Sequence, residues 1–226
     1  MQNYRLLNLP KYPFRDKSFT DDSRSSNWIS ASQNPNAHPF AILPCNILSD
    51  HILDRFKTYN LEPIHCVMFC RLNKAADQNH RVLHSDLTLD DGNWKRIFCG
   101  INYELNDTQN NFTWWKTSLP ECFPLKIGSE LDQHSILNGI HYGIRNQSSI
   151  DNFTTMLLEE VKLTGPTLVR TDIPHLITYN SHNRIRKSLS IRFKETWNSW
   201  DGAVKAFAPL MQDLKIIDKY VKLRYT

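Results

Sequence analysis

No run of this sequence approaches the ~18 apolar residues that a membrane-spanning helix needs. Its first residues hold no apolar stretch followed by a small-residue cleavage site, so neither a membrane protein nor a secretory leader is expected. No CxxC pair occurs among the five cysteines (Cys45, Cys66, Cys70, Cys99, Cys122), which excludes zinc knuckles and dithiol redox motifs. The odd, sparse count suits buried free thiols in a reducing compartment, and a cytoplasmic location is expected. Blocks of like charge are missing too. Lys and Arg number 27 against 23 Asp and Glu, a net +4 spread along the chain, which reads as a solvated mixed surface rather than a nucleic-acid stripe. No internal repeat or low-complexity tract occurs. What is present is a globular composition: 226 residues, 40% hydrophobic and 11% aromatic, enough for one domain with one sizeable core.

Residues 1–43, broken by Pro10, Pro13, Pro35 and Pro39, predict an irregular arm. Ser49 reads as an N-cap, and Ile52, Leu53, Phe56 and Tyr59 follow at helical spacing, which predicts a helix over 50–60. From 64 onward the pattern is β: a buried strand over 64–72, a polar loop over 73–79 and a short strand over 81–84. A hairpin is expected with arms at 94–105 and 111–117 around turn-forming residues 106–110. Residues 118–150 carry Pro120, Pro124, Gly128, Gly139 and Gly143 and have poor periodicity. An insert that long is expected to be either a substrate lid bearing His134, His141, Tyr142 and Arg145 or a rigid decoration packed on the outer sheet. Residues 156–163 fit either a helix end or a strand. After a turn at 164–166, the stretches 167–171, 175–180 and 185–194 read as three strands, and 201–221 as a C-terminal helix. The expected class is mainly β, a sandwich or barrel with flanking helices.

Three patterns carry chemistry. His84-Ser85-Asp86 places an imidazole and a carboxylate two apart, on one face of a strand, where both can reach one ion. His-x-Asp alone is a weak signal. His175-x10-Arg186-x-Ser188 is more specific, and it follows His-x-Asp in the chain. The strand that carries Arg186 alternates. Arg184, Arg186, Ser188, Ser190 and Arg192 share one face, and Ile185, Leu189, Ile191 and Phe193 the other, with Lys187 the exception. A row of guanidinium and hydroxyl groups turned into a protein interior needs an anion to satisfy it.

This arrangement resembles the iron(II)- and 2-oxoglutarate-dependent oxygenases, over about 64–193. The family's signature is His-x-Asp, then a distal His, then Arg-x-Ser about ten residues on. The resemblance implies a double-stranded β-helix (a jelly-roll or cupin-like barrel), with the core at 64–193, the arm at 1–43, the insert at 118–150 and the helix at 201–221. It implies His84, Asp86 and His175 as ligands of Fe(II), a set that leaves three coordination positions open. It implies Arg186 as the bidentate holder of the far carboxylate of the cosubstrate 2-oxoglutarate, with Ser188 beside it. The chemistry would run at the iron, with no protein nucleophile: hydroxylation of a C–H bond, with 2-oxoglutarate decarboxylated to succinate. Halogenating relatives lack the carboxylate that Asp86 supplies. The separation of Asp86 from His175 exceeds what is usual, and the insert accounts for the excess.

His182 competes with His175 for the distal position but lies in a turn-like stretch. Arg192 is a candidate for the cosubstrate or for a cap on the barrel end. Phe69, Arg71, Asn102 and Tyr103 are weaker candidates for cosubstrate or substrate contact, and Trp114 is a candidate for stacking on substrate or for core packing. The expected substrate is a small amino-acid-like molecule or a protein side chain. Arg186-x5-Arg192 also resembles the Arg-x5-Arg of the alkylated-base dealkylases, so a nucleic-acid substrate is the alternative, and a non-catalytic β-helix binding module a third.

Overall fold

A computed structural model of the chain describes residues 2–16, 40–72, 83–90, 93–106, 110–117, 137–141, 155–178 and 185–211. Twelve strands among them form two antiparallel sheets. In the first, the order is β1 (Tyr4–Leu6), β10 (Thr167–Arg170), β6 (Cys99–Glu104), β12 (Ile185–Phe193), β3 (Pro63–Leu72) and β2 (Phe40–Leu43). In the second, it is β5 (Asn93–Arg96), β4 (His84–Asp90), β11 (His175–Thr178), β7 (Asn111–Thr117) and β9 (Thr155–Lys162), with β8 (Leu137–His141) also paired to β4. The chain changes sheets between β3 and β4, β5 and β6, β6 and β7, and at each step from β9 to β12, whereas β2 with β3 and β4 with β5 are sequence neighbours paired within one sheet.

Alternation along β12 divides the interior in two. Leu189, Ile191 and Phe193 join Cys66 and Met68 of β3 and Cys99, Ile101 and Tyr103 of β6 in one apolar cluster on the outer face of the first sheet. Two helices close that cluster. The first, Asp50–Thr58, buries Ile52 and Phe56, at the spacing that its sequence gives. The second, Trp200–Phe207, buries Trp200, Ala203 and Phe207, and the Ser199 side chain caps it by accepting from the Gly202 amide at 3.1 Å. Phe193 meets Phe56 and Phe207 edge to face at 5.1 and 5.0 Å between ring centroids. A smaller cluster of Phe112, Trp114, Leu163 and Val169 lies between the sheets. Among the described residues no helix is long and apolar enough to cross a membrane.

Several expectations need correction. The 1–43 arm is not irregular at its ends: Tyr4–Leu6 and Phe40–Leu43 are the two edge strands of the first sheet, and residues 17–39 lie outside the described residues. The 94–117 hairpin does not exist. The segment splits at Ile97-Phe98 into β5 and β6, and β6 and β7 lie in different sheets and do not pair with each other. Turn-forming residues mark a change of direction and do not say which strand the chain pairs with next. The second short strand begins at His84 and runs on to Asp90, and residues 155–162 are strand. Within the 118–150 insert, Leu137–His141 is a strand alongside β4; the rest of the insert, and with it the lid, lies outside the described residues. The C-terminal helix ends at Phe207 and passes into a 3-10 turn over Ala208–Leu210, which contains Pro209; residues 212–226 are outside the description.

Candidate metal centre

The two histidines meet because β11 and β4 are paired at one register position, His175 opposite His84. The turn 171–174 sets that register. The Asp86 amide donates to the Thr171 carbonyl at 2.9 Å, and the Thr171 hydroxyl donates to the Ile97 carbonyl at 2.8 Å. Arg170 grips Asp172 through two bonds of 2.7 and 3.0 Å, and Arg96 donates to the Asp172 carbonyl at 2.9 Å. The Pro174 carbonyl accepts from the Trp115 amide at 2.9 Å, so the turn is anchored on both sides before the chain enters β11.

One ligand atom from each of His84, Asp86 and His175 lies within 4.8 Å of the others, and the set can hold a metal ion. Asp86 Oδ1 is 3.6 Å from His84 Nε2 and 3.8 Å from His175 Nε2. Neighbouring ligands at ~2.1 Å from a common ion stand ~3 Å apart, so each histidine is within ~1 Å of the separation from Asp86 that a shared ion requires. Asp86 and His175 are buried, and His84 sits at the edge, its side chain 36% exposed. His175 Nδ1 is 2.9 Å from the Ile173 carbonyl. That contact assigns the proton to Nδ1 and leaves the Nε2 lone pair toward Asp86. Burial, with His84 second, pushes the His175 imidazole down to about 4, so it is a neutral ligand at pH 7. At Asp86, burial works to raise the carboxyl; the Arg192 guanidinium, then His175 and His84, outweigh it and hold it below its ordinary value.

Arg192 has a partner that its sequence context did not indicate: it makes an ion pair with Asp86, Nη2 to Oδ2 at 2.7 Å. The carboxylate is thus divided, with Oδ1 toward the histidines and Oδ2 toward the guanidinium. Arg192 fits because its ladder neighbour is Gly100: a Cβ there would stand 2.9 Å from Arg192 Nη1 and 3.3 Å from Ser190 Oγ.

Arg186, Ser188, Ser190 and Arg192 all lie buried on the inner face of the first sheet. Their ladder partners on β6, Asn102 and Glu104, and on β3, His65, Val67 and Phe69, share that face. Several polar atoms there are buried without a hydrogen-bond partner: both ring nitrogens of His65, Asn102 Oδ1, Glu104 Oε2, Ser188 Oγ, Ser190 Oγ, and Arg192 Nε and Nη1. Burying that many unpaired groups is costly unless a polar ligand or water satisfies them. Four of them, on Ser188, Ser190 and Arg192, can donate to carboxylate or carbonyl oxygens, the groups that 2-oxoglutarate carries. Arg186 already holds an anion. Its Nη2 and Nε donate to Glu104 Oε1 at 2.5 and 3.1 Å.

The remaining candidates are placed as follows. Tyr103 points to the outer face, into the apolar cluster, and does not reach the site that Asn102 faces. Trp114 lies opposite His175 and is fully buried; it packs on Phe112 and Tyr4, and its indole N–H donates to the Arg170 carbonyl at 2.8 Å, which fits core packing. Phe69 is half-buried opposite Ser188. Arg71 stands opposite Arg186 in the ladder, and its side chain is outside the described residues. His141 occupies the β8 position opposite His84; His134 and His182 lie outside the description. Sequence reasoning missed Glu104, His65 and Gly100. Alternation in Gly100-Ile-Asn-Tyr-Glu104 carried a usable signal, since Gly100, Asn102 and Glu104 fall on one face.

No family model matches this chain, and neither a curated protein nor a solved structure was found to match it.

Proposed function

We propose that this chain is an iron(II)- and 2-oxoglutarate-dependent oxygenase on a double-stranded β-helix. The observation that carries the reading is the convergence of His84, Asp86 and His175, from two strands far apart in sequence, on one point. Two strand orders support the fold: β10-β6-β12-β3 in one sheet faces β4-β11-β7-β9 in the other, with successive strands of this set alternating between them except β7 and β9, which pair within the second sheet. His84, Asp86 and His175 would hold the iron. Arg186 and Ser188 would hold the far carboxylate of 2-oxoglutarate, and Ser190 and Arg192 offer unpaired donors between that end and the metal. Bound together, iron and 2-oxoglutarate would activate dioxygen as the oxidant, one oxygen atom entering the C–H bond and the other entering succinate as carbon dioxide leaves. The chain's own part is to bind and to orient: Arg192 fixes Asp86, the Ile173 carbonyl fixes His175, and the apolar side chains Phe112 and Trp114 exclude water behind the ring of His175.

Charge supports the pairing of these two ligands. Among the described residues of the inner faces, Arg186 and Arg192 offset Glu104 and Asp86. A divalent cation alone would add two buried positive charges and a dianion alone two negative ones, whereas both together leave the balance unchanged. The test is anaerobic calorimetry with Fe(II), followed by succinate release from 2-oxoglutarate in air without a further substrate. Fe(II) binding that is lost in His84→Ala, Asp86→Ala and His175→Ala, with slow succinate release by the wild type, is the expected result. Iron binding unaffected by His175→Ala would overturn the ligand set.

Arg192 favours a second reading, an oxidative nucleobase dealkylase, because both arginines of Arg186-x5-Arg192 are buried on the face that looks at the metal set. Filter binding of single-stranded DNA at two salt concentrations separates the readings: a steep loss of binding with salt is expected of the dealkylase alone.

A further inference from the structure

The inner face of the first sheet carries a carboxylate that the metal set does not use. Glu104 stands on β6 directly opposite Ser188. Its Oε1 takes both the Nη2 and the Nε hydrogens of Arg186, at 2.5 and 3.1 Å, and the two side chains are 11% and 8% exposed. Its other oxygen, Oε2, is buried without a partner, and so is the hydroxyl of Ser188 beside it. Glu104 therefore sits between the two side chains assigned above to the cosubstrate, making with Arg186 the kind of contact that the cosubstrate's carboxylate would make. Among the described side chains of that face, the other guanidinium, Arg192, is engaged with Asp86.

We propose that Glu104 is an internal competitor for Arg186, and that it sets how tightly this site takes a dicarboxylate. The inference rests on the oxygenase reading. A dicarboxylate arriving at Arg186 must displace Glu104 from the guanidinium or share it. In either case two carboxylates face each other where little water screens them, and the repulsion is paid in affinity. Metal chelation at the other end of 2-oxoglutarate supplies the compensating attraction, so Glu104 discriminates against dicarboxylates that cannot chelate.

The experiment is calorimetric titration of 2-oxoglutarate into the Mn(II)-loaded chain, with Mn(II) as a redox-silent probe. Wild type is compared with Glu104→Gln, which keeps the shape and removes the charge, and with Glu104→Ala, which removes both. Mn(II) affinity of each variant reports that the fold and the metal set are intact. The expected result is a Kd for 2-oxoglutarate lowered at least about tenfold in both variants, with Mn(II) affinity unchanged. A Kd that is unchanged or raised in both variants, with the wild type binding normally, overturns the proposal and makes Glu104 a positioning residue for Arg186. Absence of 2-oxoglutarate binding in all three proteins, each still binding Mn(II), overturns the cosubstrate reading and this inference with it.

Discussion

Asp86 answers to three neighbours at once. One oxygen is shared by the imidazoles of His84 and His175, and the other is held by Arg192 at 2.7 Å. A carboxylate pinned in this way can give a metal only one oxygen, which preserves open positions for other ligands. Arg192→Gln removes the grip on Oδ2 without touching a ligand atom. It is expected to weaken Mn(II) binding about 10- to 100-fold, the range usual for groups that orient metal ligands, while the far-UV circular dichroism stays unchanged. Undiminished affinity would show that the turn at 171–174 alone orients Asp86. Arg186 makes a different demand, because only a guanidinium presents two parallel N–H groups. Arg186→Lys is expected to raise the Kd for 2-oxoglutarate at least about tenfold, and Ser188→Ala only about fivefold, the worth of one neutral hydrogen bond. Equal effects in the two variants would mean that Arg186 acts as a point charge.

At the scale of elements, β12 does most to organise the molecule. Leu189, Ile191 and Phe193 build the apolar cluster under the two helices, and Arg186, Ser188, Ser190 and Arg192 build the polar inner face. The helices bear on the outer cluster and do not contribute side chains to the metal set. Phe207→Ala, in the second helix, removes a fully buried ring that packs on Phe193 and Trp197. The expected loss is about 3–5 kcal/mol in urea unfolding. Metal affinity below the transition should match the wild type, and a parallel loss of metal binding would show that the two faces of β12 are coupled. This division was legible in the sequence, because alternation over 185–193 is a local property that pairing does not alter. The three residues that can hold a metal ion were legible too, since His84-x-Asp86 is a short-range pattern and His175 follows it in the expected order. What pairs with what was not legible. The 94–117 segment shows the limit: alternation and turn chemistry are satisfied equally by a hairpin and by a crossover, and only long-range pairing of β6 with β12 and β10 decides between them. Glu104 and the position of Arg192 were hidden for the same reason, because each depends on a partner more than 80 residues away.

Among the described residues, polar and titratable side chains are buried between the sheets, and the response of the molecule to acid should reveal them. His65 and His175 are both pushed down to about 4, His65 by burial and then by the charge of Arg192, His175 by burial and then by His84. In the unfolded chain both would titrate near 6.5. A depressed folded value means that between about pH 6.5 and 4 the unfolded state binds more protons, so stability is full above that window and falls as the pH falls through it. Asp86, held low by its cationic neighbours against the effect of burial, acts in the same direction at lower pH. Glu195 opposes them. Burial raises its carboxyl to about 7, so its contribution is full below about 4.5 and is lost as the pH rises through 7. Two histidines against one glutamate leave a net loss of stability in acid for the metal-free protein. His65 is the cleaner probe, because it is no metal ligand and neither ring nitrogen has a partner to lose. His65→Leu, close in volume, is expected to be at least as stable as the wild type at pH 7.5. Between pH 7 and 5 it should lose about 1–2 kcal/mol less than the wild type does, as read from urea unfolding without metal. Parallel pH profiles for the two proteins would mean that His65 is charged in the folded state, with its proton satisfied by a group or water on the inner face, and would locate the acid sensitivity in His175 and Asp86 alone.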